Sequence, residues 1–156
     1  MDFNIRKAQE KDVSSILQLI QELATFEKEP NAVEITEETL LKYGFSEEAY
    51  FQCLVCEFRQ EIVGMALFYP RFSTWKGKTI HLEDLIVTQK IRGKGIGRAL
   101  LDQVVQTAKD QGLKRVEWVV LDWNTPAVEF YKNYGADVLS HWDTVQLKIN
   151  SLINIP

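Results

Sequence analysis

Gln89-Lys90-Ile91-Arg92-Gly93-Lys94-Gly95-Ile96-Gly97-Arg98 holds four basic side chains, three alternate glycines and no acid. Its local charge is +4 in a chain of 156 residues whose formal net charge is −4. Downstream, Ile96, Leu100, Leu101, Val104, Val105 and Ala108 recur at helical spacing, and Gly112 gives a helix stop. Upstream, residues 78–87 read as a strand. The glycines therefore sit between a strand and a helix N-terminus, where backbone N–H groups can approach a ligand closely and the helix dipole is positive. A tight turn with merely solvated basic side chains is the plainer alternative. Alternate glycines at a helix start favour an anion cradle, with phosphate as its natural guest.

Two other phosphate motifs fail on spacing. In the dinucleotide fingerprint G-x-G-x-x-G the third glycine falls one residue later than Gly97, and the motif opens the fold instead of following several strands. The Walker pattern needs a glycine five residues before its Gly-Lys pair, and Gly77-Lys78-Thr79 has Phe72 there.

Around the cradle, residues 3–7 form a short strand. Asp12 is placed to cap a helix carrying Val13, Ile16, Leu17, Ile20, Leu23 and Ala24. Thr36 caps a second helix, with Glu37 and Glu38 in its first turn and Gly44 at its end; Pro30 and Asn31 mark the intervening loop. Residues 50–58, 61–71 and 78–87 read as an antiparallel meander. Residues 115–121 follow strand and helix in βαβ order, which implies a parallel neighbour. Asn124 or Thr125 caps a last helix with Pro126 in its first turn and Gly135 at its end, and residues 138–149 return as one or two strands. The order β-α-α-β-β-β-α-β-α-β describes an α/β sandwich with a mixed, mostly antiparallel sheet. With no repeat, low-complexity segment or linker, residues 1–156 read as a single domain.

Twenty-two acidic against 18 basic residues argue against a nucleic-acid partner. The N-terminus lacks a signal-peptide layout, so a cytoplasmic protein is expected. The longest apolar stretch, residues 62–69, is far short of the roughly 20 needed to span a bilayer, so no membrane partner is expected. Cys53 and Cys56 form a C-x-x-C without a second ligand pair. On a strand their odd spacing sends the thiols to opposite faces, so two buried thiols are expected and no metal.

The Arg-Gly-x-Gly-x-Gly pattern between strand and helix resembles the pyrophosphate-binding motif of the Gcn5-related N-acetyltransferases (GNAT), and the element order is similar. Further stretches narrow the resemblance: His81-Leu82-Glu83-Asp84-Leu85-Ile86-Val87, Leu121-Asp122-Trp123-Asn124, and Phe130-Tyr131-Lys132 ahead of Gly135-Ala136. Together they look like the diamine/polyamine (spermidine/spermine) and thialysine N-acetyltransferase branch, closer to the thialysine type. The resemblance implies a GNAT-like fold with a βαβ acetyl-CoA-binding core, acetyl-CoA as cosubstrate, a small cationic amine as substrate and a homodimer. It assigns cofactor binding to Leu85, Ile86 and Val87, whose backbone pairs with the pantetheine arm, to Arg92, Gly93, Lys94, Gly95, Ile96, Gly97 and Arg98 of the cradle, and to Asn124 and Tyr131.

Adjacent carboxylates within an apolar strand each need a partner or a wet cleft. Strand alternation puts Glu83 and Asp84 on opposite faces, Asp84 reading as a structural ion pair and Glu83 as chemistry. A protonated amine, with a pKa of about 10.4, must lose a proton before it attacks, and Glu83 is the candidate base, direct or through water. Tyr131 alone reads as a buried aromatic; the resemblance makes it the general acid that protonates the CoA thiolate. Asn124 also reads as a helix cap. Phe26-Glu27 matches a Tyr-Glu pair of the family's amine site without the hydroxyl. Trp75 matches a tryptophan that the spermidine/spermine enzymes precede by an acid, here Ser73. The alternatives are acetylation of a protein lysine or N-terminus, or a non-catalytic CoA sensor. Residues 21–50, with eight glutamates and two lysines, hold −6 against the +4 of residues 89–98. These two blocks suit a cationic amine and a polyanionic cofactor.

Overall fold

The computed structural model describes residues 2–149. They fall into two compact units, residues 1–119 and the described part of residues 120–156. The first unit contains β1 (Asn4–Lys7), α1 (Val13–Phe26), α2 (Glu37–Phe45), β2 (Gln52–Phe58), β3 (Glu61–Ser73), β4 (Gly77–Val87), α3 (Ile96–Asp110) and β5 (Val116–Glu117). The five strands run β1-β2-β3-β4-β5, antiparallel except for the parallel β4–β5 pair. This is the expected mixed, mostly antiparallel sheet.

One face is covered by α1 and α2, whose Val13, Ile16, Leu19 and Leu40 pack with Cys53, Val55, Met65, Leu67 and Ile86. α3 lies on the other face, where Gly64 permits close approach: a Cβ there would lie 2.9 Å from the Ile86 carbonyl oxygen and 3.3 Å from Leu100 Cδ1. Helix and sheet faces alternate as the 3.6- and 2-residue periods require.

Several local expectations change. Asp12 ends a short 3₁₀ turn, Glu10–Asp12, and does not cap α1. Its carboxylate accepts from the Gln9 N–H at 2.8 Å and from the Arg6 guanidinium at 2.6 and 3.0 Å, and Arg6 holds it below the usual carboxylate range. Thr36 does cap α2, its Oγ1 accepting from the Thr39 N–H at 3.3 Å. That helix runs past Gly44 to Phe45; the glycine serves packing, because a Cβ there would run into the Phe51 ring. β5 is two residues long, paired only through Ile80–Val116 and His81–Glu117. A bulge in β4 just beyond His81 re-aims the strand, and the parallel ladder stops at His81; among the described residues no strand pairs with the outer edge of β4 from there on.

α1 ends in a Schellman turn: Glu29 N–H reaches Ala24 O at 2.9 Å and Lys28 N–H reaches Thr25 O at 3.1 Å. Lys28 occupies the left-handed position, φ 68°, where glycine usually stands. Lys28→Gly is expected to raise the unfolding free energy by about 1 kcal/mol. Urea denaturation checks this, and a loss of stability would show that the turn carries no strain.

In the second unit, α4 (Thr125–Tyr134) is capped by Asn124, whose Oδ1 accepts from the Ala127 N–H at 3.4 Å. It carries a proline in its first turn and ends at Gly135. The strands expected over residues 138–149 are absent there: the segment is irregular, with Val145, Leu147 and Ile149 exposed at 92, 65 and 73%. The alternating pattern is present, but a strand also needs an edge to take its N–H and C=O groups.

Candidate active site

The bulge decides the site. Leu67 lies opposite Asp84 and Phe68 opposite Leu82, so Glu83 is an extra residue with no direct partner on β3. The expected alternation of Glu83 and Asp84 therefore breaks. Tyr69, on the same face as Leu67 two residues away, donates its hydroxyl to Glu83 Oε2 at 2.7 Å. Both carboxylates thus turn to the face covered by α1 and α2, not to opposite faces. A bulge re-aims side chains in this way.

Glu83 is half exposed and addressed by two neighbours. His81 Nε2 lies 3.6 Å from Oε2, and the Tyr69 and His81 rings sit 5.3 Å apart. Arg71 Nη1, a donor only, faces His81 Nδ1 at 3.5 Å, which leaves Nδ1 as acceptor and puts the neutral ring's proton on Nε2, toward Glu83. Arg71 also pairs with Glu117. Burial first, then the Glu83 carboxylate, pushes the Tyr69 hydroxyl up to about 12, so it stays a donor at neutral pH. Both neighbours address Oε2, which leaves Oε1 for an incoming proton.

Asp84 is half-buried and has no ion-pair partner among the described residues. The ion pair expected for it is corrected. Burial, with the charges of Glu83 and Glu27 adding to it, raises its carboxyl from 3.8 to about 6. Glu27, the residue after α1, is raised by desolvation although its outer surface is exposed. The structure thus gathers Glu83, Asp84 and Glu27 into one acidic neighbourhood. Such a concentration of uncompensated carboxylates attracts a cation.

The glycine loop lies between β4 and the N-terminus of α3. Gly93 and Gly95 take φ of 76° and 82°, conformations that favour glycine. The first intrahelical bond of α3 is Ala99 N–H to Gly95 O at 3.0 Å, so the N–H groups of Ile96, Gly97 and Arg98 precede the ladder, and no acid stands in the first turn. These donors with Lys90, Lys94 and Arg98 fit a pyrophosphate. Beside them runs the open edge of β4. Thr88 N–H bonds Val63 O at 2.9 Å, so by alternation Leu85 and Val87 turn their peptide groups outward, where an extended ligand can pair with them. Arg92 differs from expectation: its Nε donates to Val87 O at 2.8 Å and its guanidinium lies over the Phe26 ring, 5.0 Å from the centroid. It braces the loop as well as charging it.

The remaining candidates lie elsewhere. Trp75, 82% exposed, sits in the β3–β4 turn, about 20 Å of strand from Glu83, and within one chain is not brought to the carboxylates. Tyr131 is on α4 in the second unit, half-buried, its ring 5.3 Å from that of Phe130. Cys53 and Cys56 are buried, which pushes their thiols up to about 12 and about 11. Among the described residues no group of three His, Cys, Asp or Glu could hold a metal, and no helix is long and apolar enough to cross a membrane.

Tyr69 and His81 were not singled out by the sequence reading, although the Ser73–Gly77 turn sets the register that pairs them.

Comparison with known proteins sharpens the picture. The sequence pattern of the acetyltransferase (GNAT) family matches residues 14–136. A thialysine N-epsilon-acetyltransferase of Bos taurus is 42% identical over 144 residues, covering 87% of this chain and 85% of the relative. A human spermidine/spermine N(1)-acetyltransferase-like protein 1 is 36% identical over 145 residues, 88% of this chain and 21% of that longer protein. Among solved structures, an integron cassette protein from V. cholerae superposes with a TM-score of 0.79 at 24% identity, covering 97% of this chain and 96% of the other.

Proposed function

We propose, from the premise that this chain belongs to the acetyltransferase (GNAT) family, that it transfers the acetyl group of acetyl-CoA to a primary amine of a small cationic substrate as one catalytic domain. The observation that carries the reading is the arrangement along β4: a glycine cradle at its end, an open edge before it, and three carboxylates beside the bulge at Glu83. The family uses acetyl-CoA, and relatives at this identity are named for thialysine acetylation, which supports a compact amine over a long polyamine.

When bound, acetyl-CoA supplies the acyl carbon and a thiolate leaving group. The chain's own groups do the rest. N–H groups of Gly93, Lys94, Gly95, Ile96, Gly97 and Arg98 hold the pyrophosphate, and the outward peptide groups of Leu85 and Val87 align the arm with the bulge, while Ile86 between them pairs with β3 and only sets their spacing. Glu27 and Asp84 draw in the ammonium, with Phe26 beside them. Glu83 Oε1 takes the proton that frees the amine, with Tyr69 and His81 fixing the carboxylate. The new C–N bond would form as the C–S bond breaks, with Tyr131 giving its proton to the departing sulfur and its phenolate regaining one from the second proton that the acylated nitrogen sheds. Asn124 caps the helix that carries Tyr131 and contacts the cofactor. No metal takes part.

Thiol release from acetyl-CoA tests this against thialysine, lysine, diamines, spermidine and peptides. Release with thialysine or a short diamine is expected; turnover with a peptide alone would overturn the small-amine reading. Tyr131→Phe is expected to lower kcat at least tenfold, with the acetyl-CoA KM changed less than twofold. An unchanged rate removes Tyr131 from the mechanism. In this reading the enzyme acts in the cytoplasm as a homodimer. The exposed alternation of Val145, Leu147 and Ile149 supports an extended segment whose partner edge comes from a second copy. Sedimentation at a monomer's mass would contradict the dimer.

A further inference from the structure

Two contacts join the last turns of α1 to the segment that opens the cradle, and a third ties that segment to β4. The Gln89 N–H donates to Glu22 Oε1 at 2.8 Å, the Arg92 guanidinium lies 5.0 Å from the Phe26 ring centroid, and Arg92 Nε donates to Val87 O at 2.8 Å. Gln89 opens the 3₁₀ turn Gln89–Ile91 and Arg92 follows it, immediately before Gly93. Phe26 is the last residue of α1, next to Glu27 and two residues before the strained Lys28. One arginine thus touches the open edge of β4, the entrance to the cradle and the helix end that carries an acid of the amine site.

We propose that Arg92 and Phe26 form a mechanical link through which an anion in the glycine cradle orders the C-terminal turn of α1, readying the amine side of the site. The inference rests on the functional reading above. Arg92 and Phe26 act here as positioning residues. An anion on the N–H groups of residues 96–98 immobilises Gly93 and Gly95 just before them. Arg92 is one residue away and already pinned to Val87, so its guanidinium face becomes a fixed platform for the Phe26 ring. The adjoining Schellman turn, with a lysine in a left-handed conformation, is a weak point where added rigidity has a measurable effect. Linkage is reciprocal, so ordering of this turn by an amine also tightens the hold on the anion.

Hydrogen exchange of the full chain, with and without ADP, provides the test. ADP brings a pyrophosphate but no thioester arm, so it cannot touch the amine side directly. In the wild type, saturating ADP is expected to slow exchange of the Glu27, Lys28 and Glu29 amides, which bond to Leu23 O, Thr25 O and Ala24 O, by about threefold, the size of one partly exposed cation–π contact. Phe26→Leu should abolish that slowing while ADP affinity stays within twofold. Phe26→Tyr, which keeps the ring, should retain it, and Glu22→Ala should reduce it. ADP that binds without slowing exchange, or slowing that persists in Phe26→Leu, overturns the link and leaves acetyl transfer standing. ADP that does not bind overturns the cradle and the link together, and thiol release then judges the enzyme reading separately.

Discussion

Glu83→Gln is expected to lower kcat/KM for the amine by about 10²- to 10⁴-fold at neutral pH, the usual contribution of a positioned base. The substitution keeps the shape, and a Gln oxygen can still accept the Tyr69 hydroxyl that holds Glu83 Oε2 at 2.7 Å, so fold and acetyl-CoA binding should survive. What is lost is the acceptor for the ammonium proton. The variant must wait for amine already deprotonated in water, so its rate should climb with pH toward the amine's own pKa of about 10.4, on a steeper profile than the wild type. Steady-state rates from neutral to alkaline pH separate the cases. A variant within threefold of the wild type at neutral pH would show that Glu83 is not the base.

Asp84→Asn should stabilise the protein by about 2 kcal/mol above pH 6. Its carboxyl is raised from 3.8 to about 6 by burial and by Glu83 and Glu27. A shift of that size corresponds to at most about 3 kcal/mol, reduced by solvent screening because the residue is only half-buried. The folded state holds this proton more tightly than the unfolded chain between roughly pH 4 and 6, so the wild type loses stability as pH rises through that window. Asn carries no charge to bury, so the advantage of the variant should be full above pH 6 and vanish near pH 4. Urea midpoints across the range read this directly; a pH-independent difference would mean that packing, not charge, separates the two proteins. The same change should weaken binding of a cationic amine, since it removes one of the clustered acids.

The bulge at Glu83 explains why the site was only partly legible. Hydrophobic period located α1, α3 and the meander, because burial on one face imposes a pattern that sequence carries openly. Alternate glycines located the cradle for a similar reason: the backbone angles at Gly93 and Gly95 demand that residue type. The bulge at Glu83 leaves no such mark. It inserts one residue into a ladder of unremarkable composition, and it alone decides that Glu83 and Asp84 share a face and that β5 stops after Glu117. Arg92 was visible as a charge, while its bond to Val87 and its stack on Phe26 depend on a tertiary contact with α1. Asp12 illustrates the same limit, since Arg6 competes successfully for a carboxylate that local sequence assigns to a cap. The strands expected over residues 138–149 do not form, because apolar patterning specifies a strand only where an edge is available to pair with it.

The acidic block of residues 21–50 is also more focused than its charge count implied. Of its eight glutamates, Glu27 reaches the carboxylate neighbourhood, Glu22 anchors the loop before the cradle, and Glu48 pairs with Lys42 on the surface.

The most direct test of acetyl transfer is to incubate the enzyme with thialysine and acetyl-CoA carrying an isotopic label in the acetyl group, and to follow label and free thiol together. The account predicts label on the amine nitrogen in equal amount to the CoA released, with neither accumulating when the amine is omitted. Thiol release without acetylated amine, or label found only on protein lysines, would contradict it.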